Sequence, residues 1–210
     1  MKIVKPFLIT LIITLPVGAQ ILNNFGVKFG GTTTSQERKY HLPASGYDAI
    51  VTIQPNKNLV SLSAGVYAEF KGYSIFDILV ELNYLQKGFI REEQYTTGES
   101  YTLKQRTDYL NLSLLIKTKV YDGIVTPYVI VGPRYDFEIT KTGFGVDNPY
   151  YEAFNKNLFG FYFGVGSEFE LFNINLLAEA IYDLSITDLY DDSIITVTSD
   201  TFIFRMGISF

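Results

Sequence analysis

"TFIFRMGISF", Thr201 to Phe210, is the stretch whose reading decides the fold. Counted in twos, Phe202, Phe204, Met206, Ile208 and Phe210 fall on one face, and Thr201, Ile203, Arg205, Gly207 and Ser209 on the other. The alternation is that of a β-strand. Its aromatic face is too apolar for water, so this strand meets either a protein core or lipid.

The same period of two recurs down the chain, and no window shows sustained helical periodicity. Eight strands are predicted: Phe25 to Thr34, Leu59 to Phe70, Phe76 to Lys87, Tyr109 to Val120, Thr126 to Ile139, Leu158 to Phe169, Asn173 to Asp183, and Thr201 to Phe210. Most approach the roughly 9–11 residues that a tilted strand needs to cross a bilayer. The connections alternate strictly. Ser35 to Asn58, Gly88 to Asp108, Thr140 to Asn157 and Leu184 to Asp200 are long, whereas "KGYSI" (Lys71 to Ile75), "YDGIV" (Tyr121 to Val125) and "ELF" (Glu170 to Phe172) are of hairpin length. One end of the sheet therefore collects the long loops, and the other the tight turns and both termini. That asymmetry belongs to an outer-membrane barrel, with short periplasmic turns and longer extracellular loops. The predicted fold is all-β, an eight-stranded antiparallel up-and-down transmembrane β-barrel.

The faces are consistent with that reading. Val60, Leu62, Ala64, Val66, Ala68 and Phe70 oppose Ser61, Ser63, Gly65, Tyr67 and Glu69. Leu110, Leu112, Leu114 and Ile116 oppose Tyr109, Asn111, Ser113 and Lys117; Phe159, Phe161, Phe163 and Val165 oppose Gly160, Tyr162, Gly164 and Gly166. A soluble lipocalin-like barrel would put the large apolar residues inside around a ligand. A narrow eight-stranded interior has no room for them, so the expectation is apolar side out, with glycines and a few charges inside.

Composition excludes much chemistry. The 210 residues contain no cysteine, so disulfides, thiolate metal sites and cysteine nucleophiles are absent. The one histidine, His41, leaves little scope for histidine catalysis or metal binding. Sixteen Tyr and 17 Phe suit sheets, and a formal charge of −5 argues against nucleic acid as a partner. At the N-terminus, Lys2 and Lys5, the apolar run "FLITLIITL" (Phe7 to Leu15), Pro16 and the small triplet Val17-Gly18-Ala19 make a signal peptide over residues 1–19. Cleavage after Ala19 leaves Gln20 first, with residues 20–210 as the barrel domain, and takes the formal charge from −5 to −7.

Charges on the inner face must pair, because an isolated ion away from water costs several kcal/mol. Comparison of heights along strands brings Glu81, Arg134, Glu179 and Arg205 near mid-barrel. They are expected to form one salt-bridge cluster with a structural role, Arg205 facing Glu179. A second layer nearer the turns is expected to join Lys28 to Glu69 and Lys117 to Glu168.

Four segments carry a family resemblance. "ELNYLQKGF" (Glu81 to Phe89) resembles a Glu-Leu-x-Tyr-x-x-Lys-Gly strand end, and "YLNLSLLIK" (Tyr109 to Lys117) a Tyr-Leu-x-Ile-Pro-Leu-Leu-x-Lys strand with Ser113 in place of proline. "PYVIVGP" (Pro127 to Pro133) is similar to Pro-Tyr-x-x-x-Gly-Pro, and "EAIYDLSITDL" (Glu179 to Leu189) to Glu-x-Arg-Tyr-x-x-Ser-Leu-Thr-x-Ile, with Ile181 in place of the arginine. These are motifs of the PorT-like outer-membrane β-barrel proteins of Gram-negative bacteria, and the resemblance covers nearly all of the mature chain. It implies outer-membrane lipid as the surroundings, and it permits a link to secretion machinery. Phe210 resembles the C-terminal signature by which the barrel-assembly machinery recognises its substrates. Phe202 and Phe210 are expected near the two membrane interfaces.

Candidate chemistry is sparse, and neither a cofactor nor a metal is expected. His41, near Ser35 and Glu37, is the one candidate base for a lipid-modifying enzyme. Asp188, Asp191, Asp192 and Asp200 gather acid in the fourth long loop without the spacing of a calcium loop. "GFGVDNPYYEAF" (Gly143 to Phe154) suits either a surface contact or packing over the barrel mouth. "GVKFGG" (Gly26 to Gly31) lies in a strand with no helix after it, which excludes a phosphate loop. The favoured reading is a non-enzymatic barrel whose large loops serve envelope structure, surface interaction with other envelope proteins, or a secretion or assembly complex. The alternatives are a small pore or carrier for hydrophobic solutes, left open by the interior glycines Gly65, Gly160, Gly164 and Gly166, and a soluble lipocalin-like ligand binder.

Overall fold

The computed structural model describes residues 22–44, 47–53, 57–72, 76–94, 100–121, 123–143, 153–171, 174–191 and 195–210. Residues 1–19, assigned above to a signal peptide, lie outside these. Eight long strands build the wall: β1 (Leu22–Ala44), β3 (Lys57–Phe70), β4 (Phe76–Gln94), β5 (Ser100–Lys119), β6 (Val125–Gly143), β7 (Asn157–Leu171), β8 (Ile174–Ser185) and β10 (Ile195–Ser209). Two short ones, β2 (Tyr47–Ile53) and β9 (Tyr190–Asp191), pair at the rim with β1 and β10. Each long strand pairs antiparallel with its neighbour, and β1 closes on β10 from Gly26↔Ser209 to Tyr40↔Ile195. Closure pairs the backbone of the first and last long strands, the condition for a sheet to span a bilayer.

Side chains sort by parity. On β10, Thr201, Ile203, Arg205, Gly207 and Ser209 are buried while Phe202, Phe204, Met206, Ile208 and Phe210 are exposed. The exposed face is a continuous apolar band that includes Phe29, Leu62, Leu114, Val165 and Phe204. The interior is ionic and polar, interleaved with Leu79, Leu115, Ile130, Ile181 and Ile203. The lipocalin-like alternative is thereby overturned: the large apolar residues are outside, and no ligand-sized apolar cup lies within the described interior.

The long loops are a second correction. Much of what reads as loop is strand, since β4 and β5 stay paired as far as Gln94↔Ser100. The first loop folds back as β2, with Arg38 opposite Ile53, and β9 lies within the fourth. Past the apolar band the outward side chains turn polar, as at Thr102 and Lys104, so apolar alternation stops while the backbone ladder continues.

Candidate functional site

Two closed rings of ion pairs fill the barrel interior. In the first, Arg205 Nε bonds Glu179 Oε2 at 2.5 Å, and Arg205 Nη2 donates to both oxygens of Glu81 at 2.8 Å. Lys28 Nζ completes the circuit, 2.7 Å from Glu81 Oε1 and 2.8 Å from Glu179 Oε1. In the second, Arg134 reaches Asp183 Oδ1 at 2.6 Å and Asp136 Oδ2 at 2.8 Å, while Lys87 Nζ lies 2.5 Å from Asp183 Oδ2 and 2.8 Å from Asp136 Oδ2. Each ring contains one arginine, one lysine and two carboxylates, so each is formally neutral. That balance is what a low-dielectric interior requires of buried charge.

Polar side chains join the rings. Asn83 Nδ2 donates to Glu81 Oε2 at 3.3 Å and to Asn111 Oδ1 at 3.1 Å, and Asn111 Nδ2 donates to Asp136 Oδ1 at 2.5 Å. Tyr128 donates its hydroxyl to Glu179 at 2.7 Å. Nearer the turns a third layer places Lys117 Nζ between Glu69, at 2.7 Å, and Glu168.

Several of the sequence-based pairings change. Glu81, Glu179 and Arg205 meet in one ring, with Arg205 opposite Glu179 in the β8–β10 register. Arg134 does not join them. It lies in the other ring, because Asp136 is two residues along its own strand and Asp183 is within reach on β8, past Gly160 of β7. Lys28 turns to Glu81 and Glu179 instead of Glu69, whose register partner on β1 is Asn24, four residues away. Glu69 shares Lys117 with Glu168. Lys28, Lys87, Asp136 and Asp183 were not assigned to the cluster from sequence, although all sit on inward parity with its members. Ile181, where the resembling motif has arginine, packs among Ile130, Tyr162 and Ile203.

The interior glycines mark where large side chains cross the lumen. A methyl at Gly160 would stand 2.7 Å from Arg134 Cζ, and one at Gly166 would stand 2.6 Å from the Tyr128 hydroxyl. Around Gly65 and Gly164 the space is taken by Asn83 and by Ile130 with Ile181. These glycines do not leave a channel; they admit the residues that fill one.

At the outer rim Phe154 and Leu189 fold inward onto Phe89, Tyr109, Leu158 and Val197. Asn155 N donates to Leu189 O at 2.7 Å, and Asn155 Nδ2 to Asp188 O at 2.8 Å, which ties the third loop to the fourth. Phe154, from the aromatic segment of the third loop, thus packs over the mouth; residues 144–152 lie outside the described residues. Desolvation and the neighbouring Asp191 carboxylate raise the pKa of Asp188. Among the described residues no group of three or more His, Asp or Glu converges as a metal site. Asp192 lies outside them, and so does the side chain of His41, which sits on rim strand β1 opposite Ile50.

The sequence pattern of the outer membrane protein beta-barrel domain matches residues 18–191. The chain belongs to this outer-membrane β-barrel family. Membership places the apolar band of the barrel in outer-membrane lipid. Among solved structures, OprG from Pseudomonas aeruginosa is similar with a TM-score of 0.56 at 13% identity, covering 90% of this chain and 97% of that one. A major outer membrane protein of Thermus thermophilus gives 0.47 at 15% identity, covering 88% and 98%. Ail, the attachment invasion locus protein of Yersinia pestis, gives 0.42 at 14%, covering 89% and 98%. The likeness to OprG shows the fold of this outer-membrane barrel and nothing about its activity. No curated protein matches it in sequence.

Phe210 closes the seam between the termini. Its amide donates to Phe25 O at 2.8 Å, it accepts from Phe25 N at 3.2 Å, and the two rings lie 5.9 Å apart. Its side chain points to lipid.

Proposed function

We propose that this chain is a non-conducting, non-enzymatic outer-membrane barrel whose packed interior holds a rigid mount for surface structure, serving envelope architecture, surface contact or a secretion or assembly complex. The observation that carries this reading is the filled lumen. Two neutral ionic rings, the Asn83–Asn111 bridge and the large side chains over the glycines occupy the cross-section, and Phe154 and Leu189 close the outer mouth. The rim strands carry the wall beyond the membrane, where a partner would meet it. The four motif segments support a PorT-like assignment within the family, and the N-terminal pattern supports export with removal of residues 1–19.

The purified barrel in planar bilayers is expected to give no steady conductance, at any voltage the bilayer tolerates. Reproducible channel openings of uniform size would overturn the reading in favour of a pore.

We also infer that Phe210 is the assembly signal. Phe210→Ala is expected to reduce the folded, membrane-inserted fraction several-fold in cells while leaving refolding in detergent near the parent level. Equal amounts of inserted barrel in cells would contradict this role. A mature N-terminus at Gln20, read by mass spectrometry, tests the export assignment.

A further inference from the structure

Beneath the plug at the outer mouth lies an enclosed hollow of about 10 Å3, room for one water. Phe154 and Leu189 cover it, Lys87 of the ring around Arg134 bounds it toward the turns, and Tyr109, Gln36 and Gln105 stand in its wall. Gln36 on β1 and Gln105 on β5 are 6% and 4% exposed, and the side-chain oxygen of each accepts no hydrogen bond among the described residues. A buried acceptor left without a donor costs about 1–3 kcal/mol. The mouth therefore carries two polar groups that its own plug, a phenyl ring and a leucine, leaves unused.

The plug comes from the connections between long strands. Phe154 precedes β7 and Leu189 follows β8, and Asn155 clasps one to the other through Leu189 O and Asp188 O. Its ties to the wall are backbone bonds at the rim, Leu189 N to Val197 O and Glu138 N to Lys156 O, each 2.8 Å. Where water can take the place of a partner, such a bond contributes only about 0.5–1.5 kcal/mol.

We propose that the outer mouth is a ligand cup which the chain's own Phe154 fills at rest, and that it takes from outside a small molecule of the phenol class. The ligand's ring takes the seat of the Phe154 ring, and its hydroxyl donates to Gln36 Oε1 or Gln105 Oε1. Ligand sites combine apolar and aromatic walls with a few placed polar groups, and the mouths of barrels are among the places where they occur. With the plug withdrawn, Phe89, Tyr109, Leu158 and Val197 supply such a wall, and the one-water hollow widens to the size of a ring. A plain hydrocarbon ring only replaces what Phe154 already provides. A ring with a donor also satisfies an acceptor that Phe154 leaves bare. A cation fits less well, because the Lys87 ammonium stands at the inner end. The ionic rings lie beneath the cup whether the plug is in or out, so the lumen stays blocked, and failure here leaves the conductance reading untouched.

The chain has no cysteine, so one introduced thiol reports access cleanly. Ser199→Cys places it in the wall of the hollow, and Ser113→Cys beside Glu81 in the ring below; both serines are buried and close to cysteine in size. In nanodiscs, with the heat-modifiable gel shift retained in every variant, a small water-soluble methanethiosulfonate is expected to label Ser199→Cys at least tenfold faster than Ser113→Cys. Saturating phenol should slow the labelling of Ser199→Cys at least threefold, and toluene, a similar ring without a donor, much less. Adding Gln36→Leu and Gln105→Leu should erase the difference between the two probes. Equal rates at Ser199→Cys and Ser113→Cys overturn the proposal and make the plug a fixed part of the core over a trapped water. Labelling that phenol slows no more than toluene, or a preference for phenol that survives the loss of both amides, overturns it as well.

Discussion

Arg205→Leu is expected to lower the stability of the barrel by about 3–5 kcal/mol, the usual cost of removing one partner from a buried ion pair. The substitution leaves Glu81 and Glu179 sharing Lys28 alone, with a net negative charge enclosed by the wall. The readout is the temperature at which the folded band converts to the unfolded one on SDS gels. Two companions separate charge from volume. Met206→Leu, the next residue but on the lipid face, should leave that temperature nearly unchanged, and Glu179→Gln in the Arg205→Leu background should recover part of the loss by restoring neutrality. A wild-type transition for Arg205→Leu contradicts the ring.

Arg134→Leu is expected to destabilise by a similar amount, and its coupling to Arg205 decides whether the two belong to separate rings. Residues without shared partners add to within about 0.3–0.5 kcal/mol, whereas members of one network deviate by about 0.5–3 kcal/mol. A double-mutant cycle between Arg205→Leu and Glu179→Gln should therefore show strong coupling, and one between Arg205→Leu and Arg134→Leu a much weaker one. Some residual coupling is expected through the Asn83–Asn111 bridge. Equal coupling in both cycles would mean that the interior acts as a single cluster.

The wall was legible in the sequence because the environment writes it there. Lipid on one side and a crowded interior on the other force a period of two, so Leu110 to Ile116 and Phe159 to Val165 announce both strand and face. The rim was not legible for the complementary reason. Past the apolar band the outward residues Thr102, Lys104 and Arg106 are polar, and only the backbone pairing, which leaves no compositional mark, continues the strand as far as Gln94↔Ser100. In the interior, parity alone shows that Glu81, Glu179 and Arg205 point inward. It equally marks Lys87, six residues beyond Glu81, and Asp183, four beyond Glu179. What parity lacks is the shear between strands, which decides whether a side chain meets its nominal neighbour or one farther round the barrel. Lys28 and Arg134 found other partners for that reason. The glycines misled in a related way, since the space each one leaves on its own strand is filled by a larger side chain of a neighbouring strand, as Arg134 on β6 fills that at Gly160 on β7.

The arrangement as a whole depends on the apolar face lying in lipid and the ionic face inside a closed wall. The measurement that tests it most directly is fractionation of expressing cells followed by SDS gels of the outer-membrane fraction with and without boiling. The account predicts a band in that fraction whose mobility changes on heating, because a closed barrel resists SDS until its wall opens. A protein recovered from the soluble periplasmic fraction, with the same mobility boiled and unboiled, would contradict it.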